Sequence, residues 1–173
     1  MRNIIDSIDA LGEKVIEKIY NKNKVLDKVM IALTLSGELG IIWIVISFFL
    51  FTKRKYIKIG IMVLAAIILT TILGEGIVKH IVKRKRPFIK NHLVKLLIAE
   101  PGTFSFPSGH TASSFAVATV FVKTDMKLTS LIVILAILIS FSRLYLRVHY
   151  LSDVIGGIIL GVISGAVVVM IFS

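Results

Sequence analysis

Three apolar stretches, at about 30–51, 59–78 and 151–172, constrain this chain more than any other feature. Each reaches the roughly 20 residues that a helix needs to cross a bilayer. Two more stretches are less clean. Residues 111–122 are short unless 108–110 or Lys123 join them, and 128–146 reaches full length only by including Arg143. The reading is all-α: a polytopic membrane helical bundle of about five transmembrane helices. The composition agrees, since 56% of the 173 residues are hydrophobic, against roughly 45–50% in soluble domains. A single membrane-embedded domain is expected over 1–173, with an amphipathic interfacial helix at 1–29 and the helical bundle at 30–173.

Residues 1–29 carry six bases and five acids and lack the uncharged core of a cleavable signal peptide. Ile4, Ile8, Leu11, Val15 and Ile19 recur at helical spacing, as in a helix lying at a membrane surface; a soluble helix packed on another protein would show the same pattern. The net charge of +11 points to phosphate-bearing partners, and the apolar spans make these anionic lipids rather than nucleic acid. The basic loop holds Phe88 but no spaced aromatic series for stacking bases. There are no cysteines, so disulfides and thiolate metal sites are excluded. Gly157, Gly161 and Gly165 recur every four residues in the last span, the small-residue pattern of close helix contact.

If the spans alternate direction, the N-terminal helix, a long loop over 79–107 and the turn 147–150 share one membrane face, and the polar residues converge there. The positive-inside rule favours a cytoplasmic turn at 52–58, yet the long loop has more bases. If those bind substrate, the loop faces outward.

Three groups of residues on that face carry chemistry. In Lys79–Pro87, Lys79 and Arg86 stand seven apart; a helix continuing to Pro87 would put both on one face, a point charge and a bidentate fork suited to phosphoryl oxygens. Lys83, Arg84 and Lys85 read as a juxtamembrane cluster attracted to lipid headgroups. In "FSFPSGHTASS" (104–114), Ser108 and Gly109 stand at a helix start, where backbone amides can hold an anion beside His110. The plainer alternative is an N-cap and an interfacial histidine. In "SRLYLRVHYLSD" (142–153), His149 and Asp153 are four apart, so the carboxylate can accept a proton from one imidazole nitrogen and leave the other free to attack. Arg143 supplies a second phosphate fork. A structural ion pair would satisfy His149 and Asp153 alone but leaves the other residues unexplained.

Taken together, Lys79-x6-Arg86-Pro87, then Pro107-Ser108-Gly109-His110, then Ser142-Arg143-x5-His149-x3-Asp153 resembles the three-part signature of the type 2 phosphatidic acid phosphatase family, relatives of the vanadium haloperoxidases. The resemblance covers about residue 26 to the C-terminus. It implies a membrane lipid phosphatase acting on undecaprenyl pyrophosphate, phosphatidylglycerol phosphate or phosphatidic acid, usually at the outer face. It implies His149 as nucleophile, Asp153 as its orienting carboxylate and His110 as acid and base. Lys79, Arg86, Arg143, Ser108 and Gly109 would hold the phosphate. No metal or other cofactor is expected, since three cationic side chains take the neutralising role and no acidic cluster offers a cage. Undecaprenyl pyrophosphate is the favoured substrate, by analogy with small members of similar layout. A non-enzymatic lipid-phosphate binder or flippase would need the cations but not the two histidines and Asp153. Glu38 and Glu75 are expected to be structural, Glu75 pairing with Lys79 one turn on, and His80 to be incidental.

Overall fold

The computed structural model describes residues 4–90 and 95–173. Among the described residues all regular secondary structure is helical: α1 (Ile4–Glu17), α2 (Lys24–Ser36), α3 (Ile41–Phe51), α4 (Ile57–Thr71), α5 (Lys79–Val82), α6 (Pro87–Lys90), α7 (Gly109–Lys123), α8 (Thr129–Tyr145) and α9 (Leu151–Phe172). Two of the expected spans are interrupted. The first is a bent pair: α2, begun by the Asn23 side chain accepting from the Val25 and Leu26 amides, stops at Ser36. A tight turn then places Leu39 (φ 50°) and Gly40 (φ 70°) in the left-handed region, and α3 leaves at 53° to α2. The second passes from α4 through a π-helical turn, Ile72–Val78, into α5.

Helix α7 is the hub and packs against α4, α8 and α9. The α9 contact explains the glycine repeat. A Cβ at Gly157 would stand 2.7 Å from the Ser108 carbonyl, and one at Gly165 2.5 Å from the Ala116 carbonyl; Gly161 faces the Ala112 carbonyl in between. The glycines thus match a four-residue register on α7 and let the two backbones touch. Around α7 lies the main core, with Trp43, Val63, Phe121 and Ile139 wholly buried. Trp43 donates its indole N–H to Ser114 at 3.2 Å, the polar tip satisfied as burial demands.

By length and composition, two helical stretches can cross a membrane, Arg54–Ile89 and Leu151–Phe172, or three with the bent α2–α3 pair taken as one. Helices α7 and α8 have 15 and 17 residues. The count of five therefore exceeds what length alone supports. Having protein on several sides, α7 need not carry the long apolar surface that lipid requires.

Helix α1 docks through a different stripe from the apolar one. Asp9 and Ile16 are buried, Gly12 lies against Leu151, and Ile4, Leu11 and Val15 remain exposed.

Candidate active site

One cavity of about 520 Å³ is lined by Lys79, Arg86, Gly109, His110, Arg143 and His149, together with Thr34, Glu38 and Glu75. Four parts of the chain meet here. The α4–α5 segment brings Lys79, the coil after it Arg86, the start of α7 Gly109 and His110, and the end of α8 with the turn beyond it Arg143 and His149. Asp153 and Ser108 are fully buried behind the wall.

His149 lies in the short turn between α8 and α9, 4% exposed. Its Nδ1 faces Asp153 Oδ2 at 3.6 Å, and its Nε2 is 3.2 Å from Arg86 Nη1. A guanidinium can only donate, so Nε2 is the acceptor and the ring's proton belongs on Nδ1, toward the carboxylate. Burial pushes this imidazole down to about 3, with the Arg143 and Arg86 charges adding to the effect and Asp153 opposing it. The ring is therefore neutral near pH 7, the state a nitrogen nucleophile requires.

Asp153 is held by three donors. Ser105 Oγ reaches Oδ2 at 2.5 Å, the Tyr150 amide reaches the same oxygen at 2.8 Å, and Arg84 Nη1 reaches Oδ1 at 2.5 Å. The Tyr150 contact belongs to the start of α9, where an acid in the first turn caps an orphan amide and suits the helix dipole.

The cations are not equivalent. Arg86 commits its N–H groups to the Thr103 and Phe104 carbonyls, the Thr103 hydroxyl, the Val148 carbonyl and His149 Nε2. Of these, the bonds to Nε2 and to the Thr103 hydroxyl are the two that can turn to a ligand without breaking backbone attachments. Lys79 Nζ is paired with Glu75 at 2.7 Å and bonded to the Thr103 hydroxyl at 3.0 Å. Arg143 donates to the Thr34 hydroxyl, but its buried Nε has no hydrogen-bond partner. A buried orphan guanidinium N–H costs free energy unless an anion satisfies it, and it belongs to a residue lining the cavity. Among the three cations Arg143 is thus the one whose guanidinium keeps an unpartnered N–H at the cavity.

Several expectations need correction. The helix does not run on to Pro87. It ends at Val82, where Lys83 turns left-handed (φ 49°), so Arg86 arrives from coil and not from the helical face of Lys79. The Ser108 amide donates to the Asp153 carbonyl at 3.1 Å and its hydroxyl accepts from Thr111 at 3.0 Å, which leaves Gly109 as the member of that pair lining the cavity. Arg84 is no headgroup cation but an ion-pair partner of Asp153 and Asp9. The Glu75–Lys79 pair forms as its spacing implied, and His80 packs edge-on to Phe104 at 6.2 Å. Sequence reasoning missed Thr34, Thr103 and Ser105. Thr34 and Thr103 lie far along the chain from the side chains they meet and carry no local signal, whereas Ser105 stands three residues before Ser108.

Three cations, two histidines and a buried carboxylate around one cavity in a helical membrane protein define a site for phosphoryl chemistry. Residues 55–173 match the PAP2 superfamily. The chain is 32% identical over 143 residues to an undecaprenyl-diphosphatase of Sulfolobus acidocaldarius, covering 82% of this chain and 68% of that one. It is 27% identical to the undecaprenyl-diphosphatase BcrC of Bacillus subtilis, covering 88% and 78%. The crystal structure of the transmembrane PAP2 type phosphatidylglycerolphosphate phosphatase of Bacillus subtilis superposes with a TM-score of 0.78 at 26% identity, covering 98% of this chain and 87% of that one. The chain belongs to the PAP2 superfamily and is a membrane phosphatase, a hydrolase of phosphorus-containing bonds.

Proposed function

We propose that the protein removes phosphate from a lipid headgroup, undecaprenyl pyrophosphate in the first instance, through a phosphohistidine at His149. The observation that carries this reading is the state of His149: a neutral ring with Nδ1 toward Asp153 and Nε2 toward Arg86, on the wall of the cavity that also holds His110 and Arg143. Nε2 attacks phosphorus, forming an N–P bond as the bond to the bridging oxygen breaks. His110 gives that oxygen its proton, and Asp153 stabilises the imidazolium. Arg143, Lys79, the redirected Arg86 N–H and the Gly109 amide hold the equatorial oxygens, with Ser108 setting the geometry of the helix start from behind. Water then attacks phosphorus, His110 takes its proton, the N–P bond breaks and phosphate leaves. No metal is assigned a part.

The undecaprenyl-diphosphatases among the relatives support the substrate. We further propose that α2–α3, α4–α5, α7, α8 and α9 make five crossings, with the cavity at the outer face and α1 lying on the membrane with Ile4, Leu11 and Val15 toward lipid. The deciding experiment is phosphate release by the purified protein from undecaprenyl pyrophosphate, phosphatidylglycerol phosphate and phosphatidic acid, with and without a chelator. Turnover of the prenyl substrate fastest, and unaffected by chelation, is expected. Turnover of none, with binding retained, would leave a lipid-phosphate binder.

A further inference from the structure

The N-terminal helix reaches the catalytic carboxylate. Arg84 lies between two acids, with Nη1 on Asp153 Oδ1 at 2.5 Å and Nη2 on Asp9 Oδ2 of α1. Nη1 also meets the Ser152 hydroxyl at 2.6 Å, and the guanidinium stacks on the Tyr150 ring at 4.2 Å. The other Asp9 oxygen accepts from the Ser152 amide at 2.9 Å, one residue before Asp153. The Arg84 carbonyl in turn accepts from the Ser105 amide at 2.8 Å, and the Ser105 hydroxyl is itself a donor to Asp153. Both oxygens of Asp153 are thereby tied, directly or through Ser105, to Arg84, and Arg84 is tied to α1.

We propose that Arg84 is a positioning residue for the nucleophile, holding the Asp153 carboxylate opposite His149 Nδ1, and that Asp9 holds Arg84, making α1 part of the catalytic apparatus. The inference rests on the reading of His149 as nucleophile. A carboxylate with no solvent exposure and no cation would be an uncompensated buried charge, which relaxes by moving or by taking up a proton. Either change spoils its service to the imidazole. Arg84 prevents both, while keeping out of the cavity and touching no substrate. Asp9 balances the guanidinium and sets its direction, because Nη2 cannot follow Asp9 unless Nη1 stays on Asp153. A merely structural staple between the coil and α9 would instead hold the cavity wall in place. Its loss would let Arg86 and the Thr103 segment drift, and so weaken substrate binding.

The test uses the full chain in lipid vesicles with the best substrate from the phosphate-release panel. It measures kcat, KM and thermal midpoint for the wild type, Arg84→Gln, Arg84→Lys, Asp9→Asn and the double variant Asp9→Asn with Arg84→Gln. Arg84→Gln should lower kcat by about ten- to a hundredfold, the range found when the outer partners of metal-bound imidazoles and carboxylates are removed, with KM within about threefold of wild type. Arg84→Lys keeps the charge but loses the two-armed geometry and should recover part of kcat. Asp9→Asn should cost severalfold in kcat, and the double variant should be no slower than Arg84→Gln alone, as members of one chain of contacts are not additive. Undiminished kcat in Arg84→Gln, or a loss confined to KM, overturns the inference. So does a double variant whose losses multiply. If Arg84→Gln does not fold, the kcat of Asp9→Asn decides, and an unchanged value counts against the proposal. An inactive wild type defeats the functional reading itself, a result distinct from any of these.

Discussion

The nucleophilic role proposed for His149 and part of its effect on stability rest on the same cause, the burial of a neutral ring. Its folded value near 3 lies below the ordinary value of about 6.5 that the unfolded chain keeps. Between those pH values the unfolded state binds a proton that the folded state does not, so stability is complete above about 6.5 and falls as pH drops toward 3. By pH 5 the loss amounts to at most about 2 kcal/mol. Melts of the wild type and His149→Gln between pH 8 and pH 5 should therefore converge as the wild type loses the more; parallel curves would show that the ring is not buried neutral. The two histidines separate kinetically. His149→Ala should form no phosphoenzyme. His110→Ala should be slowed by about a hundredfold to ten-thousandfold, and an aryl phosphate, whose leaving group needs little protonation, should partly restore its phosphoenzyme. Acid-labile label from a radioactive donor reads both, and label persisting in His149→Ala while absent in His110→Ala would reverse the roles.

At the scale of elements, the α7–α9 seam sets the position of the groups proposed as catalytic. Helix α7 begins at Gly109 and carries His110, and α9 begins just after His149 and carries Asp153. The glycine register is what fixes one relative to the other. A valine at Gly161 would meet the Ala112 carbonyl and, at 2.9 Å, Phe115 Cβ. Backbone cannot yield there as a flexible side chain would, so Gly161→Val should cost about 1–3 kcal/mol and lower kcat by separating His110 from His149. Gly76→Ala is the contrast, since nothing lies within 4 Å of its Cβ; its stability should change by less than about 1 kcal/mol. Equal melting of both variants would refute the seam's role. The α2–α3 break has a comparable effect. By ending α2 at Ser36 it leaves Thr34 within reach of Arg143 and brings Glu38 to the cavity.

For the whole molecule, the five crossings proposed above would put the 95–108 segment and the turn after α7 on opposite sides. The chain has no cysteine, so single thiols report without background. Gly102, with open space about its Cβ, should as Gly102→Cys react with an impermeant maleimide in intact cells, whereas Asp125→Cys should react only after permeabilisation. The reverse pattern would place the cavity at the cytoplasmic face, and reaction of both in intact cells would break the five-crossing path.

By itself the sequence determined the solvent this protein lives in, its helical class and the chemical types at its centre. Long apolar runs admit few folds, and short spacing sufficed to bring His149, just before α9, to Asp153 in its first turn and to put Gly157, Gly161 and Gly165 on one face of that helix. Only the tertiary structure decided how the cations divide their work. Arg86 is spent largely on Thr103, Phe104 and Val148, and Arg143 keeps an orphan N–H, yet both look alike as letters. Arg84 in a basic run and Asp9 on an amphipathic helix likewise carried no mark of their pairing, since they lie 75 residues apart in the chain. The physical reason is that periodicity encodes which face a residue occupies within its own helix. Which buried donor meets which buried acceptor is set where helices cross, by packing of glycine against backbone and by the breaks at Gly40 and Lys83.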